Sequence, residues 1–168
     1  MIMNIIKFNS YSRDYNWLSN FFQQENLITL NIYNMKINFH SVESSFQALK
    51  LLHLNEFKSE KELIALFRYF STLSNGLAKK SGNNLNLNRV AWGNNNLEYM
   101  EELIYRKFQD PILKNKLLST QGSELIEFNT GSNFWGVNSG MQGHNHLGKI
   151  IMKIREHLFH VKQSNTLP

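Results

Sequence analysis

A carboxylate, an amide and an amine stand at positions 43, 47 and 50 of the stretch Ser41-Val42-Glu43-Ser44-Ser45-Phe46-Gln47-Ala48-Leu49-Lys50. In a helix, a turn of about 100° and a rise of about 1.5 Å per residue place Glu43, Gln47 and Lys50 on one stripe roughly 10 Å long. All three can then meet one small ligand, and a carboxylate beside an amine suits proton transfer or charge stabilisation at a polarised bond. The same spacing also fits a solvated polar face, because Glu in a first helical turn and Lys in the C-terminal half both complement the helix dipole. Phe46, Leu49 and the Leu52 to Leu54 segment are expected to anchor the helix.

A second candidate is the loop Asn133-Phe134-Trp135-Gly136-Val137 with its continuation through Gly143-His144-Asn145. Trp135 and Phe134 can stack on a planar base, and Gly136, Gly140 and Gly143 let backbone N–H groups approach phosphate or ribose oxygens. A helix that starts here would offer unpaired N–H groups at Asn145 to Lys149 to an arriving phosphate. The plainer alternative is an aromatic core plug beside a flexible turn. His144 and His146 lie two apart, share no helical face and have no third ligand at a recognisable spacing, so no metal is expected. His53, His157 and His160 read as helix residues near solvent or packed at a surface.

These groups depend on the elements that carry them. Ile5 to Phe8 reads as a short strand, and Leu27 to Phe39 alternates as a hairpin does, with Tyr33-Asn34 near its turn. Ser41 is a suitable N-cap for a helix running to about Leu54. Ser59 and Glu62 have capping-box spacing ahead of Leu63, Leu66, Phe67 and Phe70. Leu77 to Lys80 reads as a short helix closed by Gly82, and Leu85 to Val90 as a polar loop. Asn95 to Phe108 reads as a helix with Leu97, Met100, Leu103, Ile104 and Tyr105 as its buried stripe. Asp110-Pro111 ends it and starts another that finishes near Gly122. Glu124 to Phe128 reads as a strand, and Gly131 to Gly148 has no regular period, a length of loop that is usually functional or mobile. A closing helix runs from about Leu147 to Phe159, and residues from Lys162 onward read as a frayed tail.

The chain of 168 residues fits one domain with a real core: 42% of it is hydrophobic, 18% charged, and it contains no cysteine. Disulfides, thiolate metal sites and a Cys nucleophile are thereby excluded. The net charge of +5 admits a nucleic-acid partner but equally suits an enzyme for phosphorylated metabolites, and the lysines are scattered between Lys58 and Lys153 instead of gathered on one arm. The apolar run at Met1 to Lys7 is short and broken by Asn4 and Lys7, and no segment approaches a membrane span, so a soluble cytoplasmic protein is expected. The architecture expected is α+β and mainly α-helical, one domain over residues 1–161 with a small β element near the N-terminus and a tail at 162–168.

Several blocks, in order along nearly the whole chain, resemble the YbiA-like family, also called NADAR. They are Leu18-Ser19-Asn20-Phe21, the Ser41 to Lys50 helix start, Arg89-x-x-Trp92 with Met100, Leu117-Leu118-x-Thr120 leading to Leu125-Ile126-Glu127, Phe134-Trp135-Gly136, Gly143-x-Asn145-x-Leu147-Gly148, and Met152-x-x-Arg155-Glu156. Each block alone is weak, and the ordered set is specific.

The resemblance implies an N-glycosidase that cuts the bond between ribose C1 and an amine nitrogen. Its substrate would be a ribosylamino-pyrimidine phosphate of early riboflavin synthesis, or ADP-ribosylated guanine, including ADP-ribosylated nucleic acid. It implies Glu43 and Lys50 as catalytic residues, with no cofactor and no metal; Arg89, Trp92, Glu127, Gly136 and Asn145 in the matching blocks are the expected substrate-binding residues, joined by Asn20, Gln47 and Trp135 on residue type. Glu127 is the best second carboxylate, with burial beside Arg89 or Arg155 as its structural alternative. Three positions depart from the family pattern: Val137 where some members carry Asp, Gly93 where many carry Glu, and Asn96 where a Lys often stands. Those departures imply an altered substrate preference, or a module that binds a nucleotide-ribose ligand without turnover.

Overall fold

A two-residue turn with positive φ at Tyr33 (47°) and Asn34 (65°) joins β2 (Ile28–Ile32) to β3 (Met35–Phe39), which pair antiparallel from Ile28 opposite Phe39 to Ile32 opposite Met35. Two successive left-handed residues give the twist that lets antiparallel strands continue without splaying. The computed structural model describes residues 4–128 and 131–164. The chain is α+β and mainly helical, as expected, and its contacts divide it into two units, Asn20–Leu103 and a second formed by Met1–Ser19 with Ile104–Pro168.

In the first unit, the hairpin leads directly into α1 (Val42–Leu49), whose cap Ser41 accepts a hydrogen bond from the Ser44 N–H. Every residue of α1 is buried, and the helix packs against α2 (Glu60–Thr72) and α3 (Asn75–Asn83). The solvated-face alternative for Glu43 and Gln47 is therefore wrong. The α-helix also ends earlier than its periodicity suggests: Lys50–His53 form a 3-10 turn, Leu51 is buried and Leu52 is exposed. The capping box expected at α2 is present, with Glu62 bonded back to the Ser59 N–H. Gly82 does not close α3 but lies inside it, buried. α4 (Arg89–Lys107) starts six residues before the expected Asn95, and Leu97 and Tyr105 face solvent, while Met100, Leu103 and Ile104 are buried.

In the second unit, β1 (Asn4–Phe8) pairs in parallel with β4 (Ser123–Glu127), from Asn4 opposite Ser123 to Phe8 opposite Glu127. α5 (Pro111–Leu118) is capped by the Asp110 carboxylate, which accepts from the Ile112 and Leu113 N–H groups at 2.9 Å each. It packs on α6 (His146–Ser164), whose buried face Leu147, Ile150, Ile151, Ile154 and Leu158 covers β4. The buried Arg155 guanidinium donates to the Thr120 carbonyl, the Thr120 hydroxyl and the Ser123 carbonyl at 2.7–3.0 Å, fixing the corner that leads into β4. α6 includes Lys162 to Ser164, and the remainder of the expected tail, 165–168, lies outside the described residues. No helix among the described residues is long and apolar enough to cross a membrane.

Candidate active site

The first unit gathers Asn20, Glu43, Gln47, Lys50 and Trp92. Asn20 contributes through its backbone: its carbonyl accepts the Glu43 N–H at 3.0 Å, satisfying a donor that the first turn of α1 would otherwise leave open. Its side-chain nitrogen lies 3.4 Å from the Met100 sulfur. Gln47 Nε2 donates to Glu43 Oε1 at 2.9 Å, one turn apart on α1. Lys50, although it opens the 3-10 turn, keeps the direction of the stripe. Its Nζ donates to Asn83 Oδ1 at 3.2 Å and stands 5.7 Å from the centre of the Trp92 ring. Glu43, Gln47 and Lys50 are all at most 7% exposed, a rare condition for charged groups such as Glu43 and Lys50 unless something specific compensates it.

Burial decides the proton affinities. It raises the Glu43 carboxyl above its usual value, outweighing the lowering effects of the Lys79 charge, the Gln47 hydrogen bond and the Lys50 charge. It lowers Lys50, assisted by the like charge of Lys79 and opposed by Glu43. The pair is thus a carboxyl group that takes up a proton readily beside an amine that gives one up readily, which is the poise needed for acid–base or amine chemistry.

Helix α3 completes the site with residues the sequence did not single out. Asn75, Gly82 and Asn83 meet Ser41, Gln47 and Lys50 in turn, and the exposed Lys79 sets the field at Glu43 while its Nζ lies 5.3 Å from the Phe21 ring centre. Trp92 belongs to a half-buried aromatic group: Phe46 is 5.0 Å away, His53 5.8 Å and Tyr99 6.0 Å between ring centres, and His53 Nε2 and Tyr99 Oη are hydrogen-bonded at 2.9 Å. Nothing in residue spacing flags Asn83 or Tyr99, because they reach the site through helix packing. Arg89 is exposed at the first position of α4.

The second unit holds the other four candidates. Glu127 ends β4 and is buried, with its N–H bonded to Asn145 Oδ1 and its carbonyl to the Val137 N–H. Asn145 spends its side chain on the β4 backbone, its Nδ2 donating to the Leu125 carbonyl at 2.9 Å, and its φ of 50° is one that Asn tolerates. Of the N–H groups expected to stand open before α6, four are taken: those of Asn145, His146 and Leu147 by the carbonyls of Gly136, Phe134 and Trp135, and that of Lys149 by the Asn145 carbonyl. Gly136 is buried in this crossing, while Trp135 is half-buried, edge-on to Phe134 at 4.9 Å. Val137 is buried and bridges in parallel to Phe128. Asn145→Ala is therefore expected to lower stability by about 2 kcal/mol, the loss of two buried hydrogen bonds, read as a lower melting temperature in thermal unfolding.

The ordered blocks have a direct counterpart in the comparisons with known proteins, for the profile of the NADAR domain matches residues 7–159. The chain belongs to the NADAR domain family. Among its relatives, riboflavin biosynthesis protein PYRR, chloroplastic, of Zea mays is 37% identical over 71 residues, 42% of this chain and 11% of that protein. A Nostoc punctiforme protein named as an N-glycosidase is 32% identical over 71 residues, 42% of this chain and 46% of that one. The chain thus spans less than half the length of these curated relatives. The NMR structure of the E. coli protein YbiA matches with a TM-score of 0.73 and 26% identity, covering 97% of this chain and 89% of that one. The NADAR fold and the resemblance read from the blocks therefore agree. Among the described residues, no three His, Cys, Asp or Glu side chains of this NADAR chain converge as a metal site would require.

Proposed function

We propose that the chain is an N-glycosidase that hydrolyses the bond between C1 of a ribosyl group and an amine nitrogen. The observation that carries this reading is the buried carboxyl of Glu43, hydrogen-bonded to Gln47 and in the field of the Lys50 amine. Family membership supports it, as do relatives named for N-glycosidase activity and riboflavin biosynthesis. As the C1–N bond breaks, its electron pair leaves with nitrogen, which takes a proton, and positive charge builds on the sugar. Ionised Glu43 stabilises that charge or takes a proton from the water whose oxygen bonds to C1. Lys50 receives the phosphate or diphosphate of the substrate, or as a free amine adds to C1 of the opened ribose and expels the substrate's amine, forming an imine that water then hydrolyses to free the sugar and restore the lysine. Trp92 offers a planar surface to the heterocycle.

The substrate class proposed is a ribosylamino-pyrimidine phosphate, with ADP-ribosylated guanine, free or in nucleic acid, as the second member. Purified protein incubated with each compound is expected to release pentose phosphate or ADP-ribose, followed by chromatography. Saturable binding of both compounds without release of either would replace this reading by that of a ligand-binding module.

A further inference from the structure

We infer that Gly82 is a positioning residue for Glu43: the bare α-carbon of α3 at this point seats the Gln47 amide so that its NH2 group holds the carboxyl. The inference rests on the reading of Glu43 as the reactive carboxyl and adds the device that orients the amide bonded to it. Gly82 stands in the last turn of α3, next to its final residue, where a glycine still lowers helix stability relative to alanine, and its presence there has a local reason. The reason is in the packing of α3 on α1. A Cβ on Gly82 would overlap Gln47 Oε1 and lie 3.0 Å from its Cδ and 3.1 Å from its Cβ.

Gln47 is 4% exposed, so its amide is enclosed by protein atoms. Its Nε2 is committed to Glu43 Oε1, while its Oε1 has no hydrogen-bond donor among the described residues and rests on the Gly82 surface. An amide held by one donor bond and one close steric seat has a single orientation. The two ends of α3 are pinned beside it, by Asn75 on Ser41 and by Asn83 on Lys50, so helix movement cannot accommodate a larger residue without disturbing the same site. The atom in closest conflict is the far end of a flexible side chain, so alanine is expected to displace the Gln47 amide and leave the helix folded.

Gly76 provides the matching control, since it lies on the same helix with nothing within 4 Å of a built Cβ. The experiment is a carboxyl-carbon NMR titration of Glu43 in wild type, Gly82→Ala, Gln47→Ala, the double variant and Gly76→Ala, combined with pH–rate profiles on the ribosylamine substrate. Gly82→Ala and Gln47→Ala should each move the Glu43 titration to higher pH, because each removes a bond that favours the carboxylate. In turnover, both should lower kcat about tenfold with little change in KM, as expected for loss of one hydrogen bond to a charged group. The double variant should match Gln47→Ala alone, and Gly76→Ala should match wild type. An unmoved Glu43 titration in Gly82→Ala would overturn the inference, as would an equal shift in Gly76→Ala or an added shift in the double variant. Should Gly82→Ala fail to fold, the Gln47→Ala titration still decides whether that amide governs the carboxyl. The titration needs no substrate, so absence of turnover would count against the proposed activity and leave this inference standing.

Discussion

Glu43→Gln is expected to reduce release of the pentose or ADP-ribose product about a thousandfold, the usual scale for removing a charge-stabilising or proton-transferring group. The fold should survive, and at neutral pH it should be strengthened. Burial raises the Glu43 carboxyl above 4.5 in the folded chain, so the native state holds that proton more tightly than the unfolded state does. The stability this supplies is complete below about pH 4.5 and is lost as pH rises through the folded value. Glutamine has no such loss. The variant should therefore exceed wild type by about 1–2 kcal/mol near pH 7, as relief of an active-site group commonly does, with the gap closing in acid. Urea melts at several pH values test the stability claim, and an unchanged turnover rate would remove Glu43 from the chemistry.

The second large effect concerns Lys107, whose side chain is fully buried at the end of α4 and donates to the Ser19 carbonyl at 2.8 Å. Burial pushes its amine down to about 7 from the usual 10.5. The unfolded chain thus binds the extra proton throughout the interval between those values, and folding expels it. Stability from this group is fully present above about 10.5 and is lost as pH falls through 7, with a slope of about 1.4 kcal/mol per pH unit between. Lys107→Met should abolish that slope. The difference between wild-type and variant unfolding free energies, followed from pH 7 to 9.5 by denaturant titration, is expected to change by about 3 kcal/mol; a constant difference would show that the amine keeps its ordinary affinity.

Elements with strong local punctuation were legible in the sequence. The Ser41 cap, the Ser59–Glu62 box, the Tyr33-Asn34 turn and the Asp110-Pro111 start are short-range arrangements in which a few neighbouring atoms settle the backbone, and each stands where its residues place it. Boundaries without such marks moved. α4 begins at Arg89 because Asn88 Oδ1 accepts the Ala91 N–H and caps it, in a stretch whose polar residues carry no apolar period. The Glu43–Gln47–Lys50 stripe was legible as a spacing, but its burial was not, because the helix that covers it has only Leu77 and Ala78 as apolar side chains among Asn, Gly, Ser and Lys. Gly82 is the sharpest case: read along the chain it marks a helix end, which falls one residue later, and only the neighbour across the interface shows what its missing side chain makes room for. The loop before α6 failed as a phosphate nest for a similar reason, since its own carbonyls reach the N–H groups first.

The pairing of Asn4–Phe8 with Ser123–Glu127 has a consequence for biosynthesis. As the ribosome delivers the chain, the first strand emerges early and waits with its apolar residues Ile6 and Phe8 uncovered until β4 follows, while Asn20–Leu103 can close its own contacts in the interval. Long-range parallel pairing is slow to form and vulnerable while unformed. Exposure to chaperones and proteases during synthesis should therefore be concentrated at β1.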